Sequence, residues 1–415
     1  MKPISGQAIA LAAVVALLPG AAQAAWRVEL LTSFTGSNGE FPQAALIRDT
    51  AGNLYGTTVS GGNFGQGTVF KLVPPAAGAT AWTETVLASF TGTKGKSPFA
   101  RLIFDAAGNL YGTTDAGGKY DDGTIFELSP PATGKTAWTE TILASFNGTN
   151  GAHPFGSLIF DAAGNLYGTT TQGGAGSNGG TVFKLAPPAA GQTAWTETVL
   201  ASFAKPGGTD PEAGVIFDKK GNLYGTTTSG GQGGTVFELS PPAAGQTAWT
   251  QRFLVSLDST TGFNPRAALI RDAAGNLFGT TQFGGAFSGG TVFELSPPAT
   301  GQTAWSLTVL VSFDATTGGY DSWAPLIFGA AGNLFGTTIY GGSAEAGTVF
   351  ELTPPASGQT TWTQTTLASL TGTNGSNPAA GLIFDKEGNL YTTAYYGGSS
   401  PSTADGTAVK LTPLH

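Results

Sequence analysis

Apolar and polar positions along this chain alternate in short runs, and nowhere do apolar residues recur at the spacing of an amphipathic helix. One stretch shows the pattern. Leu102-Ile-Phe-Asp105 is a brief apolar run. Leu110-Tyr-Gly-Thr-Thr114 and Gly123-Thr-Ile-Phe-Glu-Leu128 follow, and Trp138 to Phe146 is rich in Thr and β-branched residues. Runs of this length and composition predict β-strands. The segments between them are turn-formers. Asp105-Ala-Ala-Gly108-Asn109 puts an Asp that can accept backbone N–H bonds ahead of a Gly that can take positive φ. Asp115 to Asp122 is a Gly-rich loop. Pro130-Pro-Ala-Thr-Gly134 stops a strand and turns the chain. The predicted order is strand A, tight turn, strand B, long loop, strand C, Pro turn, strand D, with almost no helix.

The unit repeats. Gly-Asn-Leu-(Tyr/Phe) occurs seven times, with its Asn at 53, 109, 165, 222, 276, 333 and 389, a period of about 56 residues. A period this long, filled with short strands, predicts propeller blades. The tryptophans predict how the ring closes. Trp82, Trp138, Trp195, Trp249, Trp305 and Trp362 open six D strands for seven A-B-C units, the last ending at Gly406-Thr-Ala-Val-Lys-Leu411. The missing strand is at the other end, where Trp26 to Phe34 matches Trp82 to Phe90 position for position. The expectation is all-β: a seven-bladed β-propeller of four-stranded blades, closed by residues 26–34 pairing with Thr407–Leu411. The length of 415 residues would suggest several domains. Ring closure instead makes residues 25–415 one domain and removes the open sheet edges.

Composition narrows the chemistry. Cys is absent, Met occurs only as Met1, and the two His are His153 and His415. A disulfide framework, a thiol nucleophile and a Cys- or His-rich zinc site are therefore excluded. No metal and no cofactor is expected. A net charge of -8 argues against a nucleic-acid partner. Lys2, the apolar run Ala8 to Leu18 and the small-x-small site Ala22-Gln23-Ala24 predict a signal peptide over residues 1–24. The protein is expected to be exported, periplasmic or extracellular, and monomeric. No other segment is apolar enough for a membrane span.

Leu-Ile-Phe-Asp-Ala-Ala-Gly-Asn-Leu-Tyr-Gly-Thr-Thr, then Gly-Gly, then Gly-Thr-Val-Phe-Lys/Glu-Leu, resembles the GloVer tandem repeat. That repeat marks the choice-of-anchor tandem repeat GloVer-containing proteins, a family of exported bacterial proteins. The resemblance spans the mature chain and implies an extracytoplasmic repeat protein. Such proteins often carry a C-terminal anchoring segment. Thr412-Pro-Leu-His415 has no such character, so surface attachment is not expected from it. The Asp-x-x-Gly-Asn-Leu-Tyr hairpin is also similar to propeller hairpins in lyases, lactonases and pure binding modules, so fold alone does not choose a function.

Candidate functional residues are those that depart from the repeat. The D–A and B–C loops fall on one rim and vary in length and chemistry, as binding loops on a rigid scaffold do. Trp323 is the one Trp outside strand D. Its equivalents at the start of strand A are Gln43, Phe99, Phe155, Glu212, Arg266 and Ala379, a ring expected at the channel mouth. Phe283, Tyr340, Tyr395 and Tyr396 make one sector of the same rim aromatic. Aromatic platforms beside a carboxylate such as Asp321 suit sugar rings. The expected function is a binding or interaction module for a glycan, an envelope polymer or an envelope protein. The alternative is a lyase or hydrolase at the mouth, with His153 and Asp210 as its acid–base pair. His153 belongs to a second ring of Phe41, Ser97, Asp210, Asn264, Asp321 and Asn377. Gly174 to Gly179 matches G-x-G-x-x-G by letter but precedes a strand, so no dinucleotide site is expected.

Overall fold

Each repeat folds as an antiparallel meander because its turn residues fall between strand-forming runs. This is a computed structural model; it describes residues 26–176, 178–315, 318–398 and 405–414. The signal peptide expected at 1–24 lies outside the described residues, as does His415. Blade 1 runs Ile47–Arg48, Leu54–Thr58, Thr68–Val73 and Thr83–Ser89 as strands A to D. Seven four-stranded sheets repeat this order, and six of them are continuous in sequence. The seventh combines Ile383–Phe384, Leu390–Ala394 and Thr407–Pro413 with the N-terminal strand Trp26–Ser33. Trp26 pairs with Pro413 and Ser33 with Thr407, so the closure read from the tryptophans is the one observed. The one helical element among the described residues is a 3-10 turn, Ala330–Gly332.

The motifs are explained by local bonds. In blade 2, Asp105 Oδ1 accepts the backbone N–H groups of Ala107 and Asn109, both at 2.9 Å. Its Oδ2 accepts Asn109 Nδ2 at 2.7 Å and the Tyr111 hydroxyl at 3.2 Å. One carboxylate thus closes the A–B hairpin and pins strand B. Blade 6 has Gly329 in place of this Asp. There the hairpin winds into the 3-10 turn, and Asn333 Nδ2 donates to Glu351 instead. The Gly of Leu-Tyr-Gly-Thr-Thr faces a Phe of strand C. A Cβ on Gly56 would lie 2.6 Å from the Phe70 ring. Blade 7 has Thr392 there, and its partner across the strands is Val409, so the larger and smaller side chains trade places.

The core lies between blades rather than within them. Trp138 of blade 2 meets Tyr55 of blade 1 edge-on at 6.5 Å, and the contact recurs around the ring to Trp82 against Tyr391 at 6.1 Å. Phe34, Phe90, Phe146, Phe203 and Phe313, with Leu257 and Leu370 in the other two blades, close the gaps below the loops and are 0–1% exposed. Each contributes roughly 2 kcal/mol by leaving water. Polar bonds follow the same seam. Thr57, Thr169, Thr226, Thr280, Thr337 and Thr393 donate to backbone carbonyls of the next blade at 2.8–3.5 Å. Thr393 to Ala44 carries the series across the closure.

Closure predicts a dependence on the first strand. A chain beginning at residue 35 leaves strand 407–413 as an open edge and is expected to aggregate, as gel filtration with light scattering would read. A monomer melting like the mature protein would refute the role of that strand.

The seams also predict a pH dependence. Burial pushes the Glu197 carboxyl up to about 7, against the hydrogen bond donated by Asn150 Nδ2 at 2.6 Å. Burial raises Glu84 and Glu140 at the equivalent positions too. A carboxyl whose pKa is higher folded than unfolded holds its proton more tightly in the native state. Its stabilisation is full below the unfolded value and is lost as pH rises through the folded one. The melting temperature should therefore fall from about pH 5 to about pH 8. Glu197→Gln should raise it at the upper end and flatten the slope, since Gln251 and Gln364 already occupy this position in blades 4 and 6. An unchanged slope in thermal melts of the variant would contradict the assignment.

Candidate functional site

Strand A is innermost, and its alternate side chains line a central channel of about 680 Å³. Three layers stack along it. At the variable rim lie Gln43, Phe99, Phe155, Glu212, Arg266, Trp323 and Ala379. Next come Ala45, Arg101, Ser157, Gly214, Ala268, Pro325 and Gly381. Toward the other end the equivalent position is isoleucine in all seven blades, from Ile47 to Ile383. The mouth ring expected from the sequence is therefore assembled, with Trp323 in it.

Backbone geometry accounts for the second ring. Phe41, Ser97, His153, Asp210, Asn264, Asp321 and Asn377 all have φ between 55° and 66°. Each donates its N–H to the preceding blade's B–C loop at 2.6–2.9 Å. Each carbonyl accepts from its own blade just beyond strand B at 2.8–3.2 Å. These residues staple neighbouring blades, and the staple requires left-handed backbone. Asn, Asp and His tolerate that conformation better than other non-glycine residues. The polar composition that suggested a catalytic ring is thus first a backbone requirement. His153 Nδ1 lies 3.4 Å from Asp115 Oδ1, not against Asp210. Asp210 Oδ2 accepts the Thr209 hydroxyl at 3.0 Å. No hydrogen bond or ion pair joins His153 to Asp210 among the described residues, and none of their His, Asp and Glu side chains cluster to hold a metal.

Blades 4 to 6 join their mouth residues into one arc. Arg266 Nε donates to Glu212 Oε2 at 2.6 Å, and its guanidinium lies 4.4 Å over the Trp323 ring. Trp323 Nε1 donates to Asp321. Burial raises the Asp321 carboxyl, opposed by hydrogen bonds from Trp323 and Gln282 and by the Arg266 charge. Gln282 Oε1 accepts Asn264 Nδ2 at 2.9 Å. Beside the arc is an open hollow of about 400 Å³, walled by Phe155, Gln172, Asp210, Thr228, Asn264 and Arg266 among others. It offers hydroxyls, amides, one carboxylate free of any cation, and one aromatic face.

The rim aromatics occur in pairs. Phe283 packs on Phe263 at 5.5 Å and Tyr340 stacks on Tyr320 at 5.3 Å, each pair also joined by a backbone bridge. Tyr395 stacks on Phe41 at 5.1 Å and meets Tyr396 edge-on at 4.6 Å. The first two are cross-strand pairs, and the third joins blade 7 to blade 1; all brace the loops. Each pair keeps an outer face: Phe283, Tyr340 and Tyr396 are 38–44% exposed. Only Trp323 and Asp321 among the six sequence-chosen binding residues join the hydrogen-bonded arc. The sequence reading missed Gln282 and the stacked pair Phe99–Phe155, 4.5 Å apart. Ring-position counting reaches Phe99 and Phe155, but their stacking needs the curvature of the ring.

The family model described as the Gloeobacter/Verrucomicrobia repeat matches residues 22–231 and 189–409. No curated protein matches the chain. Among solved structures, PorZ is similar, described as an essential surface component of the type-IX secretion system of Porphyromonas gingivalis. Its TM-score is 0.50 at 15% identity, over 92% of this chain and 48% of that one. This chain thus spans about half the length of PorZ. A protein assigned as a 6-phosphogluconolactonase from Bacteroides uniformis matches with TM-score 0.52 and 14% identity, over 89% of this chain and 100% of that one. At these identities the likeness concerns the fold alone. Among the described residues no helix is long and apolar enough to cross a membrane.

The staple is open to test. Ser97→Gly should leave stability near that of the parent. Ser97→Val, β-branched at a left-handed position, should cost about 1–2 kcal/mol. Denaturant unfolding compares the two, and equal midpoints would show that the backbone there is not constrained.

Proposed function

The chain belongs to the Gloeobacter/Verrucomicrobia repeat family, and from that premise we propose that it is an exported binding module that takes a glycan at the variable rim. The observation that carries this reading is the arc from Asn264 through Gln282, Asp321, Trp323 and Arg266 to Glu212, beside the hollow under Asp210. Glycan recognition needs ring faces for the apolar side of a sugar and fixed acceptors and donors for its hydroxyls. Phe155 and Trp323 offer the faces. Asp210, Gln172, Asn264 and Thr228 offer the polar groups, on loops held by the seven staples. The arc spends its charges internally: Glu212 neutralises Arg266, and Trp323 satisfies Asp321. A neutral or weakly polar ligand suits such a surface better than a strongly charged one. Export rests on the segment ending at Ala24. A monomeric state is part of the same proposal, since pairing of the first strand with the last covers the edge of strand 407–413.

Binding to a glycan array, followed by calorimetry on the best neutral oligosaccharide, tests the reading. Trp323→Ala and the isosteric Asp210→Asn should each weaken binding at least tenfold, with circular dichroism unchanged. An array without signal, or variants that bind as well as the parent, would remove the site.

A further inference from the structure

The channel below the mouth carries a feature that neither the repeat nor the rim explains. In the second layer, six of the seven blades hold residues with small or compact side chains: Ala45, Ser157, Gly214, Ala268, Pro325 and Gly381. Packing demands it at the two glycines. A Cβ on Gly381 would lie 3.0 Å from Pro325 Cγ, and one on Gly214 would lie 2.4 Å from the Ser157 carbonyl oxygen. Blade 2 alone departs, with Arg101. Its side chain lines the channel and is exposed within it. Among the described residues it has no hydrogen-bond or ion-pair partner. The other channel arginine, Arg266, is both ion-paired to Glu212 and stacked on Trp323. The neighbouring lining of Arg101 is mostly apolar, with Ile103 and Ile159 in the layer beyond it and Phe99 and Phe155 in the mouth layer, where Gln43 of blade 1 adds one amide. The one nearby hydroxyl is Ser157, whose Oγ accepts the Arg101 backbone N–H at 3.2 Å and keeps its own proton to donate. Protein surrounds the guanidinium closely enough that desolvation lowers its pKa.

The six uncharged equivalents show that the fold does not require a cation here, and the one carboxylate of the channel lining, Glu212, is already paired with Arg266. A planar guanidinium matches a carboxylate by two parallel N–H bonds. We propose that the channel is a second binding site, distinct from the glycan site of the rim, for a small organic carboxylate with an apolar or aromatic body. Arg101 grips the carboxylate, the Ser157 hydroxyl donates a third bond, and the isoleucine collar and the Phe99–Phe155 pair enclose the body. The channel volume of about 680 Å³ admits such a molecule.

The test uses the mature protein and calorimetric titration with benzoate, phenylacetate and cyclohexanecarboxylate, each beside its neutral amide. The acids should bind at least tenfold tighter than their amides. Arg101→Gln should abolish that difference without lowering the melting temperature. Arg101→Lys, which keeps the charge but loses the fork, should fall between the two. Equal binding of acid and amide, or full binding by Arg101→Gln, would overturn the proposal. Displacement of benzoate by millimolar inorganic phosphate at equal affinity would overturn the organic class, since it would show a plain anion site. None of these probes is a sugar, so the outcome is separable from that at the rim.

Discussion

Everything in this molecule depends on closing a ring whose first and last strands come from opposite ends of the chain. A blade has no core of its own. Its Trp packs on the preceding blade's aromatic, the first Thr of its strand B pair bonds to the following blade, and in blades 1 and 3 a strand D glutamate accepts from the loop that leads into the blade. Trp26–Ser33 on Thr407–Pro413 turns that open series into a cycle. Trp82 then finds Tyr391, and Thr393 finds Ala44. Without the closing strand, two blade faces and one long edge would meet water. In a solenoid a terminal cap serves this purpose; here the chain caps itself.

Closure imposes its own chemistry on the variable rim. Seven staples hold the B–C loop of one blade to the entry of the next, and each needs one residue at positive φ. Asp, Asn, His and Ser at those positions are answers to a backbone question. They nonetheless leave a ring of mostly polar side chains at the mouth of a channel, on backbone held at both its N–H and its carbonyl. Binding chemistry here grows from a structural necessity. Asp321 illustrates it: its backbone is a staple, while its side chain fixes Trp323.

Nearly all of the fold was legible in the sequence because the same local bonds recur. The Asp-x-x-Gly-Asn-Leu-Tyr string is a complete hydrogen-bonded unit, and a counted surplus of one Trp-led strand identifies the closure. Blade 6 was legible as an exception, since Gly329 cannot accept what Asp105 accepts, although the 3-10 turn that replaces the bond was not. The site was legible only by ring position. Counting brought Glu212, Arg266 and Trp323 into one circle but could not say that Glu212 neutralises Arg266, or that Tyr340 and Phe283 spend one face on Tyr320 and Phe263. Those contacts depend on distances between loops far apart in sequence, and no periodicity encodes them. The left-handed staple was also hidden, because a residue before Pro ordinarily reads as extended.

The contrast between the two channel arginines shows where the fold stops dictating and ligand chemistry can begin. Arg266 sits where its neighbours supply a carboxylate and an indole, so its charge is already used in holding blades 4 to 6 together. Arg101 sits one layer deeper, where six blades keep small or compact uncharged side chains, two of them glycines without room for a Cβ. A long charged side chain there fills space that packing leaves empty and gains no partner from the protein. The blade-to-blade repeat does not call for a cation at this position, and its charge is left facing the channel. The departure is therefore best understood by what the channel can admit from outside, and its planar donor fork suits a carboxylate.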